Sequence, residues 1–149
     1  LRENLYGYKI NGFWCDIGSP TEYIWAHNQI LKNKTKIKIP GKENKNGIWI
    51  SDNVKIGKNV TLKGPILIGD NTVIKDNVSI GPMVVLGSNN VINNNSKIIK
   101  SITYNMVVIN RNCRIYDSII GEKVTTGHNI NLGSRNIIQD YTRINSNIS

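Results

Sequence analysis

The sequence predicts an all-β fold: a parallel solenoid with three walls, preceded by one α-helix. Three observations carry that prediction. First, a branched aliphatic recurs every sixth residue, at Ile50, Ile56, Leu62, Ile68, Ile74, Ile80, Leu86, Ile92 and Ile98. The register slips by one residue and resumes at Thr103, Ile109 and Ile115, then slips again to Ile120, Thr126, Leu132, Ile138 and Ile144. Helices repeat at about 3.6 residues and half-buried strands at about 2, so a lone apolar residue at period six marks short units that bury their faces only against neighbours. Second, asparagine stands three places after the aliphatic at Asn53, Asn59, Asn71, Asn77, Asn89, Asn95, Asn112 and Asn129. Third, β-branched residues stand four places after it at Val54, Val60, Ile66, Thr72, Val78, Val84 and Ile102, which suits short strands.

Each unit is thus a short strand and a corner. Glycine directly follows the aliphatic at Gly57, Gly69, Gly81, Gly87, Gly121, Gly127 and Gly133. Gly and Asn both tolerate left-handed backbone, so both are expected to turn the chain. Three units restore the starting direction, so residues eighteen apart should stack in parallel, about 4.8 Å apart. This arithmetic predicts inward columns Ile50–Ile68–Leu86, Ile56–Ile74–Ile92 and Leu62–Ile80–Ile98. It also predicts asparagine ladders Asn53–Asn71–Asn89 and Asn59–Asn77–Asn95. The third corner reads Pro65, Met83, Ser101 and differs from the other two. The slips at 98–102 and 115–119 lie one coil apart and should perturb the same wall. Residues 50–149 make about five and a half coils, a prism on the order of 25 Å tall.

Residues 1–18 do not repeat. Tyr6 to Ile10 and Phe13 to Ile17 read as strand pieces joined by a tight turn at Asn11-Gly12. Ser19-Pro20-Thr21-Glu22 combines an N-cap serine, proline at the first helical position and a capping-box glutamate, which predicts a helix from about Pro20 to Asn33. Its apolar stripe is Tyr23, Ile24, His27, Ile30 and Leu31, with His27 a packed, hydrogen-bonded residue. Asn33 to Gly47 is polar, contains Pro40 and Gly41, and reads as a linker. A solenoid leaves ends that need covering, and the helix is expected to cap one of them.

Composition bounds the function. At 149 residues the chain holds one domain plus an appendage. Nothing reads as a signal peptide or a transmembrane run, so a cytoplasmic protein is the expectation. Cys15 and Cys113 fit no metal-ligand spacing, and Cys113 falls on an inward position, as a buried thiol would. The net charge is +9, and six of the nineteen basic residues (Lys32, Lys34, Lys36, Lys38, Lys42, Lys45) crowd between helix and repeats. That run is either a solvated connector or a patch for a phosphorylated ligand or acidic partner. No basic stripe is interleaved with aromatics, so nucleic acid is not expected as a partner, and with no transmembrane run a membrane is not expected either.

The segment Gly12-Phe13-Trp14-Cys15-Asp16-Ile17-Gly18-Ser19-Pro20 resembles the Gly-x-Trp-x-Asp-Ile-Gly-Thr-Pro signature of sugar-1-phosphate nucleotidyltransferases. The signature closes the catalytic domain in that family, and the mannose-1-phosphate guanylyltransferase and glucose-1-phosphate nucleotidyltransferase branch is the nearest match. Ser19 replaces the usual threonine and keeps the cap. The hexads resemble the hexapeptide-repeat family, whose coils are left-handed, although the general crossover rule favours the right hand. The resemblance implies a domain order: 1–18 the tail of a catalytic domain, 19–33 a connecting helix, 34–47 a linker, 48–149 a left-handed parallel β-helix. It also implies that Asp16 helps hold Mg²⁺ in an intact enzyme that makes an NDP-sugar such as GDP-mannose. One carboxylate does not make an Mg²⁺ site, and residues 1–49 hold no Gly-rich phosphate loop. The expectation is therefore a C-terminal fragment that transfers no nucleotidyl group by itself and carries no cofactor.

The leading function is assembly and regulation: a homo-oligomer, dimer or trimer, that positions catalytic domains. Met83, Met106, Tyr104, Tyr116 and Tyr141 are candidate contacts. The alternative is an acyltransferase using acetyl-CoA, with His128 of Gly127-His128-Asn129 as general base. A zinc carbonic anhydrase on this scaffold needs three histidines, and the chain has two.

Overall fold

A computed structural model of the chain describes residues 6–44 and 46–146. Helix α1 spans Pro20–Leu31, and the Ser19 hydroxyl accepts the Glu22 N–H at 3.2 Å, as the capping residues require. It ends two residues short of the expected Asn33, which instead enters the left-handed region (φ 54°) and returns its N–H to Ile30 O at 2.9 Å. The stretch read as linker holds a short strand, β1 (Lys42–Glu43).

From Ile48 the chain winds as a left-handed parallel β-helix with three walls. Wall A stacks Ile48–Ile50, Ile66–Ile68, Val84–Leu86, Ile102–Thr103, Ile119–Ile120 and Ile137–Ile138. Wall B runs from Lys55–Ile56 to Arg143–Ile144 in six strands, and wall C from Thr61–Leu62 to Asn131–Leu132 in five. The expected columns pair in register: Ile50 with Ile68 and Leu86, Ile56 with Ile74 and Ile92, Leu62 with Ile80 and Ile98. Ile68, Ile80, Ile92, Ile98 and Ile109 are wholly buried. Ile56 departs from that pattern, being 44% exposed, because it stands on the first rung of wall B with no coil beneath it.

Two threonines interrupt the aliphatic columns, and both are satisfied. Thr103 Oγ1 accepts from Asn90 Nδ2 at 2.7 Å, while Thr126 Oγ1 accepts the Asn110 N–H at 2.9 Å. Cys113 is fully buried beside Thr126, with its sulfur 3.2 Å from Gly127 O. The slips stack as anticipated. Ile98 pairs with Ile115, and Ile102 with both Val85 and Ile119, each seventeen residues apart. Lys100 and Asp117 (φ 48° and 47°) turn the shortened corner between walls C and A, so both deletions fall at one edge.

Asparagine and glycine divide the corner work differently from expectation. Asn53, Asn59, Asn71, Asn77, Asn89, Asn95, Asn112 and Asn129 all have positive φ. Their side chains bond up the stack, as in Asn59 Nδ2 to Asn77 Oδ1 at 3.2 Å and Asn112 Nδ2 to Asn129 Oδ1 at 3.0 Å. Of the glycines that follow the aliphatic, only Gly81 has positive φ. Gly57, Gly69, Gly87, Gly121 and Gly127 are required by space, unlike Gly133, which has nothing within 4 Å: a Cβ on Gly121 would lie 2.6 Å from Asp140 N, and one on Gly69 2.6 Å from Gly87 C. The next coil passes too close for any side chain there.

Candidate functional site

Each strand of wall A presents one side chain outward beside its inward aliphatics. In register these are Trp49, Leu67, Val85, Ile102, Ile119 and Ile137, an apolar ladder up the outside of the solenoid. Helix α1 lies on it. Near its C-terminus, Ile30, Leu31 and the following Ile39 pack with Trp49, Leu67 and Val85. Midway, the Tyr104 and Tyr23 hydroxyls share a hydrogen bond of 3.1 Å. At its N-terminus, Pro20, Thr21 and Ile24 face Ile119, Ile137 and Arg135 across a cavity of about 200 Å³.

The helix therefore runs along the wall against the direction of winding and does not cap an end. Lengths explain the seat. Twelve helical residues span about 18 Å, and the four steps between the five rungs from Trp49 to Ile119 rise about 19 Å. Wall A gives an amphipathic helix far more apolar area than an end would. The first edge of wall A is closed instead by β1, which pairs antiparallel with the Ile48–Ile50 strand and carries Lys42 and Glu43. Charged residues on such a strand discourage further pairing. Sequence reasoning missed this seat. The signal was available: six outward positions, one coil apart, are all apolar.

His27 sits as anticipated, its Nδ1 3.0 Å from Tyr23 O and its ring 4.4 Å from that of Tyr23. Burial, and after it the Tyr104 hydroxyl, push the Tyr23 phenol above its ordinary range.

Preceding α1, the signature segment has no wall to join. The expected strand pieces in residues 6–17 form no ladder among the described residues, because a strand needs a paired neighbour. Tyr8 is 92% exposed, Ile10 73% and Trp14 74%, whereas Phe13 stacks on Trp25 at 5.7 Å. Asp16 is exposed, and its Oδ1 accepts the Gly18 N–H at 3.1 Å. Among the described residues no three His, Cys, Asp or Glu side chains group as metal ligands, so Asp16 alone does not fit an Mg²⁺ site.

Two further concavities bear on earlier expectations. Asn11, Gly12 and Phe13 face residues 33–37 across an open cleft of about 660 Å³ lined by Lys34 and Lys36. Lys45, counted with the basic run, lies outside the described residues. His128 borders a cleft of about 450 Å³ with Asn110, Arg143 and Asn145. Its backbone N–H donates to Ser146 Oγ at 2.7 Å, while its Nδ1 is shielded from solvent without a partner. A histidine base ordinarily has its second nitrogen held by an acceptor that fixes tautomer and ring. No such group stands at His128 among the described residues.

The five candidate contacts do not converge. Tyr104, Met106 and Tyr141 lie at the A–B corner, Met83 at the C–A corner and Tyr116 on wall C. Tyr141 is 66% exposed with Lys123 Nζ 5.0 Å from its ring centre, and Met83 is half-buried. Among the described residues no helix is long and apolar enough to cross a membrane.

Residues 62–149 match the family described as the GMPPB C-terminal domain. Bifunctional protein GlmU of Methanococcus aeolicus is 40% identical over 65 residues, which are 43% of this chain and 12% of that protein. Bifunctional protein GlmU of Methanococcus vannielii is 43% identical over 56 residues, 38% of this chain and 13% of the relative. Glucose-1-phosphate adenylyltransferase of Acetivibrio thermocellus is 28% identical over 130 residues, 87% of this chain and 30% of the relative. The chain thus spans between 12% and 30% of the length of these relatives.

Proposed function

The chain belongs to the GMPPB C-terminal domain family, and from that premise we propose that it serves as the assembly module of a sugar-1-phosphate nucleotidyltransferase. The single observation that carries this reading is the seating of α1. The helix leads directly out of the signature segment and is held along a rigid wall from the Trp49 rung to the Ile137 rung. A catalytic domain that incorporates residues 6–18 is then fixed in orientation to the solenoid. The alternate exposed side chains Tyr8 and Ile10, with Trp14 and Ile17, supply the apolar face with which such a segment joins a sheet. There Asp16 meets the second carboxylate that an Mg²⁺ site needs, and the product is an NDP-sugar such as GDP-mannose.

Copies associate, in this reading, through wall B as a dimer or trimer. Wall A is occupied by α1, and wall C sets Lys97 beside Arg114. The outward ladder of wall B is neutral and apolar at Val73, Val91 and Val108. Light scattering tests this: the chain should hold a constant oligomeric mass on dilution, and Val91→Lys should reduce it to the monomer. A monomer at every concentration in the unaltered chain sinks the assembly role. Acetyl-CoA turnover that vanishes in His128→Ala would establish the acyltransferase instead.

A further inference from the structure

Wall C carries an arrangement that assembly leaves unused. Its outward ladder reads Thr61, Ser79, Lys97, Arg114 and Asn131, each in register with the next. Every member is a hydrogen-bond donor and none is acidic. Lys97 and Arg114 are both exposed, because Ile98 and Ile115 beside them point inward and are buried. The two cations occupy adjacent rungs, about 4.8 Å apart on a rigid backbone. Like charges directly opposed in a sheet are destabilising, and among the described strands this is the one rung that pairs two basic residues. No ion pair reaches either side chain among the described residues. Asp76 and Asp117 stand on the flanking corners, and Asp76 Oδ1 is engaged by the Lys58 N–H at 2.7 Å.

Two residues further along the same strands lies a different surface. Ile99 pairs with Tyr116, which is 40% exposed, and Lys100 Nζ stands 5.6 Å from its ring centre and 3.4 Å from its hydroxyl. Gly133, one coil above Tyr116, adds no side chain, so the ledge is open on that side. Side chains two apart on one strand face are about 6.6 Å apart, so a cationic pair and a flat apolar ledge lie side by side.

We infer that wall C is a binding site for an organic diphosphate, with the two linked phosphoryl groups on Lys97 and Arg114 and the organic portion against Ile99 and Tyr116. Linked phosphates bring two charges as close as the two rungs do. They remove the repulsion between the cations and accept the guanidinium fork in bidentate form. A single phosphate must share its oxygens and its charge between the two cations, whereas linked phosphates give each cation a group of its own. The chain's overall +9 attracts anions without discrimination, so the signature of the site is preference for two linked phosphates over one.

Calorimetric titration of the chain with inorganic phosphate, inorganic pyrophosphate and ADP reads this directly. Pyrophosphate should bind about tenfold more tightly than phosphate, the factor that one charge-assisted hydrogen bond supplies. Arg114→Gln and Lys97→Gln should each lose about that factor, while Lys97→Arg retains binding. Tyr116→Ala should weaken ADP several-fold and leave pyrophosphate unchanged. All four substitutions point outward, and unchanged melting curves show that the coil is intact. Wild-type affinity in the Lys97→Gln, Arg114→Gln double variant overturns the proposal. So does equal affinity for phosphate and pyrophosphate, which marks general attraction to a basic chain. Loss of binding on Lys34→Gln, Lys36→Gln overturns it as well, by moving the site to the cleft beside the linker.

Discussion

Walls A and C share inward columns of isoleucine and leucine and the same spacing between rungs, but their outer faces have nothing in common. Wall A shows Trp49, Leu67, Val85, Ile102 and Ile119, and α1 covers them to the point that Ile102 is 5% exposed. Wall C shows Thr61, Ser79, Lys97, Arg114 and Asn131 and lies bare. The inner face of a solenoid is set by a demand every coil shares, to fill one axial core. The outer face is set by what will lie against it. A residue one place along the strand thus changes from structural necessity to a choice of partner.

The most severe way to break this contrast is to remove the anchor of α1. Trp49→Ala should cost about 3–5 kcal/mol, as truncation of a buried aromatic does. Amide exchange should accelerate across 20–31 while wall B remains protected, and equal acceleration in both would mean that helix and coil melt together. Next come neighbours on one strand of wall C. Ile98→Ala should destabilise by about 2–5 kcal/mol in chemical denaturation. Lys97→Ala, one position earlier, should leave stability unchanged or raise it by up to about 0.5 kcal/mol through lost repulsion.

A subtler comparison concerns two glycines in the same hexad place. Gly121→Ala forces a Cβ against Asp140 N at 2.6 Å and should cost about 1–3 kcal/mol, whereas Gly133 has open space and should tolerate alanine. Equal melting temperatures for the two variants would remove close packing between coils as the reason for glycine.

The mildest effect is on pH. Tyr23 has its phenol pushed above the ordinary 10.0 by burial first and by Tyr104 second, so the neutral form is the one the fold prefers. A folded-state value above the unfolded one gives stability that is complete below pH about 10 and is lost as pH rises beyond it. Tyr104→Phe should remove one hydrogen bond, worth about 0.5–1.5 kcal/mol, and shrink but not abolish that alkaline loss. An unchanged alkaline profile would mean that the hydroxyl pair does not couple α1 to the wall.

The start of α1 was legible in residues 19–22, where Ser19, Pro20 and Glu22 announce it. The seat of the helix was overlooked because the dominant period is six, and wall A's outer ladder appears only at intervals of one coil, seventeen or eighteen residues. The strand pieces assigned to residues 6–17 failed for a different reason. Alternation of apolar residues records that a segment suits a sheet, and says nothing of whether a neighbouring strand is there.

The hexad by itself determined the coil: which residues face the axis, how many make a turn, and where Asn must take left-handed backbone. Those are local demands, repeated often enough to be read from spacing alone. Only the tertiary structure decided that α1 lies along wall A and not across an end, and that glycine answers the approach of the next coil. It alone set Lys97 beside Arg114. These depend on distances between residues remote in the chain, which the stacking of coils fixes and the order of residues does not display.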